Sequence, residues 1–154
     1  MAHVLRTPKG LLRALNWYPP YRFAGIRVLE IADDWSSARV RLKLGRLNRN
    51  YFGTQFGGSL YSMSDPFWAL LAVNRLGPDY VVWDKSAEVE FVSPGRGDVY
   101  ADFKLTEDRL EEIRAATADG SKALPWFEST VTAADGTVVA RVRKQLYVRR
   151  KRDR

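Results

Sequence analysis

No cysteine occurs among the 154 residues, which removes disulfides, thiolate nucleophiles and sulfur-ligated zinc before any motif is read. Histidine is nearly as scarce. The single His3 sits near the N-terminus, where it reads as a solvated residue, so Ser-His-Asp and Cys-His mechanisms lack a base. No apolar run reaches the roughly 18 residues of a membrane span, and the N-terminus lacks the apolar core of a signal peptide. A cytoplasmic protein with no membrane partner is expected. The length suits one domain, and any chemistry falls to carboxylates, hydroxyls, amides or backbone dipoles.

The formal charge of +7 resembles a nucleic-acid signature until it is divided along the chain. Residues 1–140 hold 17 Lys/Arg and 17 Asp/Glu. The excess lies from Arg141 onward, where eight basic residues face the single acid Asp153. A basic face on the body is therefore not expected, and nucleic acid is not the expected partner. Within the tail, Arg141, Arg143, Lys144 and Gln145 read as the exposed face of a last strand. Residues 149–154 read as a free cationic end, either solvated or drawn to phosphate.

Thr7-Pro8 followed by Leu11, Leu12 and Leu15 predicts a helix with a hydroxyl cap and proline in its first turn, stopped by Pro19-Pro20. The runs GIRVLEI and SARVRLKL predict two strands joined through 32–36. After a polar loop at 45–55, residues 56–73 carry one charge, Asp65, and predict a helix buried on all sides and closed by Gly77-Pro78. Strands follow at 80–92, 99–105, 126–133 and 138–148, with a short amphipathic helix at 106–118 and a hairpin signal at Asp135-Gly136. The predicted class is α+β: about six antiparallel strands curled around one long central helix, a hot-dog fold. The organisation is a helical segment at 1–24, the hot-dog domain at 25–148 and the basic tail at 149–154. An open sandwich with the helix on one face, and a loop at 57–64, remain as alternatives.

The stretch Asn50-Tyr51-Phe52-Gly53-Thr54-Gln55-Phe56-Gly57-Gly58, with Asp65 eight positions after Gly57, resembles the motif of hot-dog thioesterases of the phenylacetate type. That motif reads Asn-x-x-Gly-Thr-x-His-Gly-Gly and ends in an acid. Phe56 stands where the family has histidine. This departure, with Asp84-Lys85 in a strand, is similar to a thioesterase-like branch carried as a domain of unknown function, DUF4442. The resemblance implies a thioester substrate, an active site shared between subunits, and a homodimer or homotetramer.

The spacing also carries a physical argument. If Gly57 and Gly58 begin the helix, their N–H groups lack intrahelical acceptors and can polarise a thioester carbonyl. Asp65 is the candidate base for water, or a nucleophile, and Asn50 a candidate for orienting either partner. Eight helical residues span about 12 Å, so one chain cannot bring Gly57 and Asp65 to one carbonyl, whereas two antiparallel chains can. Structural readings stand beside these: Asp65-Pro66 as a helix start, the glycines as a tight turn, and Asn50 as a turn-former. Lys85 reads as a partner of Asp65, a phosphate ligand or a solvated residue. Tyr61, Phe67, Trp68 and Trp83 read as core or pocket lining. With its single histidine, His3, near the N-terminus, the chain has none available to complete an Asp/His dehydratase pair. The expectation is thus an acyl-CoA thioesterase-like hydrolase with catalytic Asp65, Asn50, Gly57 and Gly58. Thr54, Gln55, Phe56, Lys85 and Arg96 are its substrate-binding residues, and it needs neither metal nor cofactor. The competing expectation is a non-catalytic acyl- or lipid-binding module.

Overall fold

Alternation of apolar and polar residues dominates the chain, and the computed structural model, which describes residues 7–151, turns it into one antiparallel sheet. Its strands are β1 (Ile26–Ile31), β2 (Ser37–Leu42), β3 (Tyr80–Phe91), β4 (Val99–Lys104), β5 (Lys122–Ala123), β6 (Trp126–Ala133) and β7 (Val138–Arg150). They lie in the order β1-β2-β4-β6-β7-β3, with the two-residue β5 added on β7. The hairpin at Asp135-Gly136 forms as its residues predict: Gly136 takes φ +87° and Asp135 Oδ1 accepts from the Thr137 N–H. His3 lies outside the described residues.

The central helical segment differs from the single helix predicted over 56–73. It is built of α3 (Gly57–Ser62) and α4 (Phe67–Leu76), joined by a turn at 63–66. Pro66 is the cause: it has no N–H for the Ser62 carbonyl four residues back, and its ring crowds that oxygen. The released Ser62 carbonyl accepts instead from the Tyr21 hydroxyl at 3.1 Å and from the Asp65 N–H at 3.4 Å. The helix resumes when Leu70 N–H reaches the Pro66 carbonyl. Across the break the apolar face is continuous, with Leu60, Met63, Phe67, Trp68 and Leu71 buried against Val40, Leu42, Phe103, Val131 and Leu146 of the sheet. Phe67 stacks on Phe103 at 5.0 Å and Trp68 on Phe127 at 4.9 Å. Each such side chain contributes about 1.5–3 kcal/mol by burial.

Helix α1 (Pro8–Trp17) starts with Thr7 Oγ1 accepting from Gly10 N–H, as predicted. Pro19 does more than end it. As the first residue of α2 (Pro19–Ala24), it supplies a preset φ, and Gly25 closes this short helix at φ +84°. Asn16 clips α1 to β1 by bonding both the N–H and the carbonyl of Val28. Helix α5 (Glu107–Ala116) occupies the predicted amphipathic stretch.

Residues 149–151 of the basic segment are tied to the fold and not a free end, and residues 152–154 lie outside the described residues. β7 runs to Arg150, with Arg149 paired to Val81 and to Lys122 on its two sides. Lys151 then bonds the carbonyls of Asp79 and Pro78. Arg141 and Arg143 face Glu90 and Glu88 at 3.1 and 2.7 Å.

Candidate active site

Asn50 shapes the loop that leads into α3. Its Oδ1 accepts from Phe52 N–H and Thr54 N–H, each at 3.0 Å, while Nδ2 donates to Thr54 Oγ1 and to the Gln55 carbonyl. The amide is thereby engaged within the loop, a turn-forming role. Thr54 and Gln55 are buried. Gln55 Nε2 donates to the Leu42 and Gly97 carbonyls, tying the loop to β2 and to the turn before β4, and its Oε1 is buried without a partner.

Phe56, 55% exposed, precedes α3 with extended backbone, and its carbonyl accepts from Ser59 and Leu60. Gly57 and Gly58 are the first two residues of α3, and their own N–H groups find no acceptor among the described residues. Gly57, Leu60, Asn50, Thr54, Gln55 and Phe91 line a cavity of about 300 Å³. Aromatic edges crowd both glycines: a Cβ on Gly57 would lie 3.0 Å from the Phe91 ring, and one on Gly58 2.6 Å from the Phe56 ring.

Asp65 lies in the turn between α3 and α4. It forms no cap on α4, whose N-cap residue is Pro66 with no side-chain bond to the helix. Its Oδ1 instead accepts from the Tyr61 hydroxyl at 2.6 Å and from Lys144 Nζ at 2.5 Å. Lys144 is 2% exposed and also contacts Asp84 Oδ2 at 3.2 Å. Burial opposes the charge on Lys144 most strongly. The bonds to Asp65 and Tyr61 and the two carboxylate charges outweigh it and hold the ammonium above the ordinary lysine value. Burial also raises the Tyr61 hydroxyl, helped by its bond to Asp65, and raises the Asp84 carboxyl against the pull of Lys144.

The cation beside Asp65 is therefore Lys144, which the strand reading had turned to solvent. The signal was present: Lys144 has the parity of Val142, Leu146 and Val148, all buried, and is the charged member of that row. Lys85 is the extra residue of a β-bulge between Asp84 and Ser86 and is exposed. Arg96 is exposed beside a groove of about 600 Å³ that Ser93, Asp98 and Thr137 also line.

A sequence model of a family described as a domain of unknown function, DUF4442, matches residues 10–148. No curated protein matches the chain. Among solved structures, a Pseudomonas aeruginosa protein of unknown function described as a probable thioesterase aligns with a TM-score of 0.81 at 20% identity, covering 93% of this chain and 96% of that one. A protein of unknown function from Chlorobaculum tepidum aligns at 0.71 with 16% identity, over 95% and 98%. A thioesterase from Haemophilus influenzae aligns at 0.68 with 13% identity, over 96% and 93%. These likenesses establish a hot-dog fold of the kind found in proteins described as thioesterases. Among the described residues no helix is long and apolar enough to cross a membrane.

Proposed function

The chain belongs to the family described as domain of unknown function DUF4442, and we propose that it is an acyl-CoA thioesterase-like hydrolase. The observation that carries this reading is the pair of unpaired N–H groups on Gly57, which lines the 300 Å³ cavity, and on Gly58 next to it in the chain, with one carboxylate, Asp65, in the same helical segment. Water attacks the thioester carbonyl carbon while Asp65 takes its proton, and the glycine N–H groups receive the oxyanion. Collapse of the adduct breaks the C–S bond, the proton held by Asp65 passes to the departing sulfur, and a carboxylic acid and the CoA thiol leave with Asp65 again ionised. Asn50 serves by fixing the loop that presents Gly57. Thr54 and Gln55 line the acyl slot, Phe56 lays its ring against Gly58, and Arg96 and Lys85, both exposed, are offered to the CoA phosphates.

Supporting a shared site, Gly57 begins α3 whereas Asp65 lies in the turn beyond its other end, eight residues on. β3 supports a pairing surface, because it ends the strand order, is 12 residues long, and exposes Trp83 and Phe91. A homodimer, or a tetramer of two such pairs, is expected. Sedimentation at micromolar concentration is expected to give at least twice the 17.6 kDa chain mass. A stable monomer would remove the shared site. Incubation with acyl-CoAs from acetyl to palmitoyl and aryl, read by free thiol, tests the activity.

One observation favours a second reading, a non-catalytic acyl-binding module. Phe56 fills the place of the motif histidine and lays its ring against Gly58. Tight acyl-CoA binding with no thiol release across the panel would select it.

A further inference from the structure

Lys144 is a costly residue for the place it occupies. Its neighbours on the same strand face, Val142, Leu146 and Val148, are buried, and an apolar side chain of similar length would extend their row. A fully buried ammonium is tolerated only where charge and hydrogen bonds meet it, and here they come from three side chains: Tyr61, Asp65 and Asp84. The arrangement is asymmetric. The ammonium is enclosed, whereas the Asp65 and Asp84 side chains are 44% and 42% exposed.

The bonds to Asp65 fall on one oxygen. Tyr61 and Lys144 both bind Oδ1, and among the described residues nothing binds Oδ2. Resting on the hydrolase reading above, we infer that Lys144 is a positioning residue: with Tyr61 it pins Oδ1 of Asp65, fixing the carboxylate so that Oδ2 alone faces outward to take the proton of the attacking water. Two donors at one oxygen leave the side chain a single orientation, and the Tyr61 ring, 5.3 Å from Nζ at its centroid, holds the ammonium from the side. Lys144 itself is too buried to touch substrate. Asp84 shares the ammonium but makes no contact with Oδ1, so it lies outside the chain of positioning.

The experiment measures thiol release from the best acyl-CoA, together with thermal melting, for the full chain and five variants. Lys144→Met is expected to lower kcat about 30-fold with KM within about twofold, since the loss is of an oriented base and not of substrate contacts. Lys144→Arg, which keeps a donor on Oδ1, should restore most of it. Tyr61→Phe should cost about fivefold in kcat, and Asp84→Asn less than about threefold. A merely structural cluster would instead make Lys144→Met and Asp84→Asn fall together, with melting temperature. Wild-type kcat in Lys144→Met, or equal losses in Lys144→Met and Asp84→Asn, overturns the inference while leaving the hydrolase reading in place. If Lys144→Met does not fold, unchanged kcat in Tyr61→Phe overturns it. An inactive wild-type chain, or full turnover in Asp65→Asn, overturns the hydrolase reading and this inference with it.

Discussion

Asp65→Asn is expected to lower the turnover of acyl-CoA by at least about 10³-fold, near the upper range for loss of a general base and equal to about 4 kcal/mol of barrier. The amide is nearly isosteric, and its oxygen can still accept from Tyr61 and Lys144, the two donors that hold Oδ1. What it cannot do is take a proton from water at neutral pH. The fold should survive, because Asp65 caps no helix and Lys144 keeps Asp84 at 3.2 Å. Stability should fall by about 1–3 kcal/mol, the usual range for weakening a hydrogen-bonded charge pair. Thiol release, melting and sedimentation measured on one preparation separate the outcomes. Loss of turnover with a folded dimer supports the base, retained turnover dismisses it, and loss of the fold makes Asp65 structural.

The strands were legible because a residue period of two is written directly into runs such as Val40, Leu42 and Leu44 against Arg39, Arg41 and Lys43. Their bounds shift by a residue or two where pairing continues past the apolar pattern, as in β7, which reaches Arg150. The central helix was legible as an apolar segment but not as two pieces. Hydropathy carries no mark of the hydrogen bond that Pro66 withholds from Ser62, and the proline was read as a boundary only in the alternative for Asp65. Similarly, Pro19-Pro20 signals the end of α1 and equally the first turn of α2, and local chemistry does not separate a stop from a restart.

The site divides along the same line. Loop and glycines sit within nine consecutive residues, so a linear motif could find them, and they do begin α3. The cluster at Asp65 joins Tyr61 and Asp65, four residues apart in α3 and the turn after it, to Asp84 of β3 and Lys144 of β7, and no spacing rule links that pair to the two strands. Lys85 attracted attention by lying next to Asp84, but the bulge at that residue leaves it unpaired and exposed. In Lys144 the misleading feature was its company: flanked by Arg141, Arg143 and the terminal arginines, it was read as part of a charged face, although strand parity puts it inside.

The oxyanion assignment has its own decisive variant, Gly57→Pro. Proline deletes the backbone N–H while suiting the first turn of a helix, and Gly57 is the first residue of α3. The residue before a proline must be extended, and Phe56 already is, at φ −71° and ψ 128°. The added ring meets the tip of the Phe91 ring about where a Cβ would stand, 3.0 Å away, a contact that a shift of a few tenths of an ångström relieves. Helix and loop should therefore persist, with a change in stability of less than about 1 kcal/mol. Turnover should fall about 10²–10³-fold, the usual consequence of removing one oxyanion donor, and Gly57→Ala, which retains the N–H, should stay within about tenfold of wild type. The pair separates the donor from the space it occupies. If both substitutions reduce kcat alike, crowding against Phe91 is responsible and Gly57 is lining. If only the proline does so, the missing proton donor is the cause and the carbonyl oxygen binds at the start of α3.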